Sequence, residues 1–498
     1  MCMSISGMML YPIGRFFRGD LNESKGPSVY PKCMLRHGGK CEQDSDNLLS
    51  YAVAARLLSV EDYSYWQLYG FYGIYLSHSS IGWCEGTYLK YGGRAYECLD
   101  QRVMASQFWG LALYEALFMG AVFLLFTPMM TEALKIEALV LSLIFTWFYI
   151  LRYQVQTILQ AVGHIRGYAG LYTGERILNF ILVLLCLAMG KHSFGMIASM
   201  EILSNGLVLF YGLWQCRDLL FQRLLPLKIA FEETKELIGM GYKLTLAGLA
   251  SQLIIGIVRF AIEQRWGTIV FGKISLSLSM ANMLITCIGA VSIVLFPLLR
   301  NVDQETMETA YKPVRRGLTM LMFGFLLFYQ PVRVLLGVWL PQYADSIRYL
   351  AILFPLCIYE TRNTAIVWTY LKALRKEGDI MKANVVMVAV SAAMTLFTVG
   401  ICGNLEMAVI SIVALYAIRA VYTEEMLLGK MSVRVGWDYV KEGILTAVFI
   451  ASSWLLPGGA AFIAYFGVYV SYLWIEREKL KSSADVWKQW MLRDGRQK

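Results

Sequence analysis

Arg259 follows Gln252 by seven residues and precedes Glu263 by four, spacings of two helical turns and one that align three polar side chains in a stripe. The run that holds them, GLASQLIIGIVRFAIEQ, is otherwise almost wholly apolar. A guanidinium in such surroundings offers a planar fork of donors, which suits a phosphate or pyrophosphate better than an uncharged solute. Lys273 lies early in the next apolar run, so the two neighbouring segments are expected to present two positive groups to one cavity. Arg333 follows Pro331 in FYQPVRVLLGVWLPQY, where proline frees helical carbonyls that must be satisfied inside the protein. Arg362 lies two positions after Glu360 in FPLCIYETRNTAIVW, so these two point to different faces while Glu360 and Asn363 share one. The ordinary alternative for a Lys or Arg near the end of an apolar run is to reach lipid headgroups.

Other chemistry lacks its minimum set of groups. There is no GxxxxGK[ST], HExxH or GxSxG sequence, and the four histidines, at 37, 78, 164 and 192, have no paired-ligand spacing. The ten cysteines show no CxxC pair, which argues against a metal site or a disulfide framework. The chain is expected to be no enzyme and to need neither metal nor cofactor. Its net charge of +9 comes from basic residues lying between apolar runs rather than in a continuous stripe, so no nucleic-acid partner is expected.

The elements that must position these groups are membrane helices. Only 16% of the 498 residues are charged and 57% are hydrophobic, a deficit of charge that a soluble surface does not tolerate. The fold class expected is all-α: a polytopic membrane protein with thirteen full spans, at about 65–82, 108–130, 137–160, 177–195, 196–215, 240–262, 268–297, 316–339, 347–370, 381–400, 403–421, 442–456 and 458–475. A truncated first span precedes them. Asn47–Ser59 is only thirteen residues long and reads as the end of a spanning helix, finishing outside at Glu61-Asp62. Lys and Arg collect in cytoplasmic loops, and alternate connections carry Lys90, Arg94 and Arg102; Arg152, Arg166 and Arg176; Lys312, Arg315 and Arg316; Arg419, Lys430 and Lys441. The intervening connections hold only Lys135, Lys191 and Arg265. The basic tail that begins at Arg477 is therefore placed in the cytoplasm.

Arg56 and Tyr63 stand at the same interval as Arg259 and Trp266, and each aromatic is followed by a small residue, Ser64 or Gly267. This spacing fits two stacked six-helix units, although an Arg and an aromatic are common at any span end. The organisation expected is an atypical non-spanning leader at 1–46, an N-terminal bundle and linker at 47–238, a C-terminal bundle at 239–421, a two-helix module at 422–475 and a tail at 476–498. Gly239-Met240-Gly241 at the entrance of the seventh helix, counting the truncated first span, offers a hinge, or is simply the glycine common in membrane helices.

The segments ARLLSVEDYSYWQLYGFYGIYL, IGWCEGTYLKYGG, GYKLTLAGLASQLIIGIVRFAIEQRWG, VFGKISLSLSMANML and VLFPLLR resemble the O-antigen and capsule flippases of the multidrug/oligosaccharidyl-lipid/polysaccharide (MOP) exporter superfamily, over roughly residues 47–475. The resemblance implies two six-helix bundles around a V-shaped central cavity, two further helices, and export of undecaprenyl-pyrophosphate-linked oligosaccharide across a bacterial cytoplasmic membrane. It implies that basic groups of the cavity hold the lipid phosphate, and Arg259 and Arg56 sit in the matching segments. Substrate contact is thus expected at Arg259, Lys273, Arg333, Arg362, Arg56, Gln252 and Glu263. The partners expected are lipid-linked oligosaccharide, membrane lipids, a proton or sodium coupling ion and a polysaccharide polymerase. A cation-coupled multidrug antiporter and a non-transporting scaffold of a polysaccharide-synthesis complex are the alternatives; the first favours net acidic groups in the cavity.

Overall fold

The computed structural model describes residues 54–190, 193–282, 285, 304–374, 376–431, 433 and 435–494, with the backbone alone at 304–306, 377 and 479–494. The expected leader and most of the truncated first span lie outside these residues. Every regular element among those described is helical. The principal helices, in chain order, are α1 (Val60–Leu76), α2 (Trp83–Tyr91), α3 (Gln101–Phe126), α4 (Ala133–Ala161), α5 (Ile165–Ala188), α6 (Phe194–Gln215), α7 (Leu227–Trp266) and α8 (268–282). There follow α9 (Gln304–Phe325), α10 (Tyr329–Trp339), α11 (Ala344–Leu353), α12 (Leu356–Thr361), α13 (Glu377–Thr395), α14 (Leu405–Leu428), α15 (Asp438–Leu455) and α16 (Gly458–Asp494).

Nine helices among the described residues are long and apolar enough to cross a membrane, or ten if the pair bent by 48° at Phe354-Pro355 is one span. Leu124, Phe210 and Ile463, each 71% exposed, are the outward apolar surface that a lipid solvent requires. This is an all-α, multi-pass membrane protein. Three expected spans fall outside that set. The first, 65–82, covers most of α1 and the break at 77–82 that ends it before α2; the second falls on α8, and its expected continuation lies outside the described residues. The third is α15, whose eighteen residues include Asp438, Lys441 and Glu442.

Local sequence explains where the helices begin and bend. Ser59 caps α1 by accepting from the Asp62 amide, and Asp100 caps α3 through the amides of Arg102 and Val103, each satisfying donors that a helix start leaves open. Between α1 and α2 the backbone turns left-handed at Ile81 (φ 50°) and Gly82 (φ 93°). Gly267 (φ 84°) ends α7, a conformation that glycine takes without steric cost.

Two apolar cores belong to opposite ends of the sequence. One joins α2–α6 around Phe108, Leu151, Val155 and Leu171; the other joins α9 to α16 around Phe323, Tyr329, Phe354 and Phe449. The forty-residue α7 serves both sides, with Leu237 in the first core and Ile254, Val258 and Ile262 packed against α13 and α14. It runs unbroken through 239–241, so the glycines there are not a bend. Gly241 instead meets Gly82, just before α2, and Gly86 within it: a Cβ on Gly241 would stand 1.9 Å from the Gly82 carbonyl oxygen, and one on Gly86 1.9 Å from that of Leu237. Small residues four apart let two membrane helices touch backbone to backbone.

Candidate functional site: a cation at the junction of α1, α7 and α8

Two turns before its end, α7 turns Arg259 toward α1 and α8. The guanidinium lies over the ring of Phe71 at 5.1 Å and that of Phe271 at 4.9 Å, and donates from Nη2 to Ser275 Oγ at 2.8 Å. Phe271 and Ser275 are one turn apart on α8 and so share a face. Tyr75 of α1 donates to the Gln252 carbonyl at 3.1 Å, and below the same surface Gly272 packs directly on Ser64. Arg259 is half-buried where an early helix of the chain meets two later ones. Stacking on two aromatic faces orients the guanidinium plane.

Glu263 belongs to the same helix stripe, yet it does not serve Arg259. Its buried carboxylate takes Lys135 Nζ of α4 at 2.7 Å and the Gln264 amide at 2.7 Å, and Lys135 also reaches Glu132 at 3.1 Å. Glu263 is thus a latch between α4 and α7, and the i to i+4 pairing that the spacing offered Arg259 is taken up across the molecule. Lys273 departs from expectation too. It lies on the face of α8 away from Arg259, bonded to Asp345 at 2.6 Å, with Ser277 one turn on donating to the Ser346 carbonyl at 2.6 Å. The two positive groups of α7 and α8 therefore do not share one cavity.

The other expected site residues are dispersed. Arg56 donates to the Trp339 carbonyl at 2.7 Å, beside Gln342, which donates to the Ala55 carbonyl at 2.8 Å; it closes the carbonyl end of α10. Arg56 lies in the helical stretch 54–57 and Tyr63 beyond a break, in α1, whereas Arg259 and Trp266 share the one helix α7. Arg333 is half-buried on α10. Arg362 is 2% exposed and binds Glu442 through Nη1 and Glu424 Oε2 at 3.4 Å. Arg315 completes a square: it binds Glu424 through Nε and Glu442 at 2.8 Å, while Tyr311 donates to Glu424 at 2.6 Å. Two guanidinium groups and two carboxylates thus neutralise one another inside the packing of α9, α12, α14 and α15, a condition for burying charge at all.

Arg152, Arg315 and Arg419, read from sequence as loop cations, are 4%, 3% and 2% exposed. Arg152 donates to Asn205 at 2.8 Å; Arg419 donates to Ser251 and Asn384 and lies 3.5 Å from Glu360. Glu424, Glu442 and Lys135 escaped the sequence reading because their partners are far away along the chain. The one signal present was a carboxylate inside an apolar helix, which in lipid demands a partner. Among the described residues no group of three or more His, Cys, Asp or Glu has the geometry to hold a metal ion.

No family model and no curated protein matches the chain. Solved structures do match its fold. The lipid II flippase MurJ in an inward closed conformation superposes with a TM-score of 0.62 at 12% identity, covering 88% of this chain and 98% of that one. An inward-facing multidrug resistance MATE family transporter of the MOP superfamily gives 0.60 at 14% identity, covering 82% and 96%. An outward-facing MATE family transporter of that superfamily gives 0.51 at 16% identity, covering 80% and 93%. The chain shares the fold of these solved structures.

Proposed function

We propose that this protein is a flippase that moves an anionic, lipid-linked oligosaccharide across the membrane by alternating access, with Arg259 engaging the phosphate of the carrier. One observation carries the reading: a guanidinium held between two aromatic rings where α1 meets α7 and α8. A cation there touches both parts of the molecule whose relative movement would exchange the site between the two membrane faces. An antiporter for cationic solutes would instead present carboxylates at this junction, and Glu263 is already bound to Lys135. The sequence resemblance to oligosaccharide flippases and the MurJ-like fold point to the same substrate class, and the membrane proposed is the bacterial cytoplasmic membrane. Two six-helix bundles, a terminal two-helix module and a proton or sodium ion as the coupling species are parts of this reading.

The test is translocation of a fluorescent polyprenyl-pyrophosphate oligosaccharide in proteoliposomes. Parental protein moves it faster than empty vesicles do; Arg259→Ala reduces the rate at least about tenfold, as loss of a charge-assisted contact worth over 1.4 kcal/mol requires. Equal rates in protein-containing and empty vesicles reject the transporter reading and leave the scaffold. A parental rate in Arg259→Ala at normal abundance rejects the phosphate contact.

A further inference from the structure

Away from Arg259, α9 and α15 enclose a cleft of about 460 Å³ lined by Lys312, Arg315, Arg316, Val435, Trp437, Asp438 and Lys441. Four of these seven side chains are cationic and one is anionic. Arg315 forms the floor, held by Glu424 and Glu442, and Lys441 is bonded to Glu476 of α16, so both are fixed in place by the wall behind them. Lys312 is exposed and Arg316 half-buried at the mouth. Trp437 is 79% exposed, and an indole standing clear at a helix end is the interfacial anchor of membrane proteins. It is also the residue before α15, whose first turn has no side-chain cap and leaves amide donors open at the positive end of the helix dipole. The basic residues place this end of α9 and α15 on the side expected to face the cytoplasm.

We infer that this cleft binds a phosphate group, carried by the headgroup of an anionic phospholipid. The volume falls in the range of small-molecule sites and accommodates a phosphodiester with its glycerol. Lys312 and Arg316 supply point charge and a multi-donor fork, and an exposed tryptophan such as Trp437 is the residue type that settles where headgroup meets acyl chain. The site is separate from Arg259 and does not depend on what the protein transports. Its ligand would clamp α15 and α16 to α9.

Native mass spectrometry of the purified full chain tests the inference, with dioleoyl phosphatidylglycerol and dioleoyl phosphatidylcholine as probes. The protein retains phosphatidylglycerol in preference to phosphatidylcholine. The double variant Lys312→Gln, Arg316→Gln binds phosphatidylglycerol at least about tenfold more weakly, from a contribution of about fivefold per basic residue at an anionic surface, with phosphatidylcholine retention unchanged. Lys312→Gln alone, at an exposed position that the fold does not need, gives an intermediate loss. A thermal-shift arm compares phosphatidylglycerol with sodium phosphate at matched ionic strength: a shift with the lipid alone identifies the headgroup, and an equal shift with phosphate identifies a soluble phosphate ligand of the same site. Indifference to lipid charge, or unchanged phosphatidylglycerol binding in both variants, overturns the inference.

Discussion

Arg259 and Glu263 show how one helical stripe divides its labour. The carboxylate is held by Lys135, while the guanidinium is oriented by Phe71, Phe271 and Ser275, so the two should respond differently to substitution. Arg259→Lys keeps the charge but loses the planar fork and the stacking; in the translocation assay it recovers only part of the rate lost in Arg259→Ala, at unchanged abundance. For Lys135 and Glu263 the expected signature is coupling. In a double-mutant cycle of Lys135→Ala and Glu263→Ala, read by thermal unfolding, the two losses are non-additive by about 0.5–3 kcal/mol; additive losses would show that the latch does not hold α4 to α7. The stripe was legible as a period in the sequence. Its division was not, because Lys135 lies more than a hundred positions away from Glu263.

At the scale of elements, α7 is a strut whose two ends serve different cores, and its contact with α2 depends on missing side chains. A methyl group on Gly86 would collide with the Leu237 carbonyl oxygen, whereas one on Gly239 meets nothing within 4 Å. Gly86→Ala should therefore lower the thermal midpoint of the purified protein by several degrees, and Gly239→Ala should leave it unchanged or raise it slightly, since alanine favours the helix by about 1 kcal/mol. Equal midpoints for the two variants would mean that α2 and α7 separate without cost. The buried square of Arg315, Arg362, Glu424 and Glu442 makes a second demand. Removing Glu442 leaves two buried guanidinium groups facing one carboxylate, a change that costs about 3–5 kcal/mol when a buried pair is broken. Glu442→Ala should accordingly lose α15 and α16 to proteolysis before the rest of the chain, and a parental digestion pattern would contradict this.

For the whole molecule the decisive quantity is the solvent. Exposed leucine, isoleucine and phenylalanine on most helices, with charged side chains neutralised inside, describe a protein whose surface faces lipid and whose polar groups face one another. The sidedness of the basic residues predicts the orientation. In a cysteine-depleted background, Ser483→Cys should react with a membrane-impermeant reagent only after permeabilisation of intact cells, and reaction beforehand reverses the orientation. The two terminal helices pack onto α9, with Tyr465 and Tyr469 donating to the carbonyls of Phe323 and Met320 at 2.8 and 3.0 Å. They share a core with the later helices of the chain, and the phosphate cleft opens at this seam.

The amino-acid sequence by itself determined the class of protein, because transfer of apolar runs into lipid is local and additive: each run of about twenty residues declares its solvent without reference to any other. It also placed Arg259 on a polar stripe and set Glu360 and Arg362 on different faces, since both follow from helical period. Only the tertiary structure decided which cations sit at the junction of α1, α7 and α8 and which are buried among carboxylates inside. Lys273 turned to Asp345, Arg56 to the end of α10, Arg362 to Glu424 and Glu442, and Arg315 left its expected loop for the core. A buried charge is tolerated only where a partner of opposite sign meets it, and that meeting is made by helix packing between residues that the chain keeps far apart.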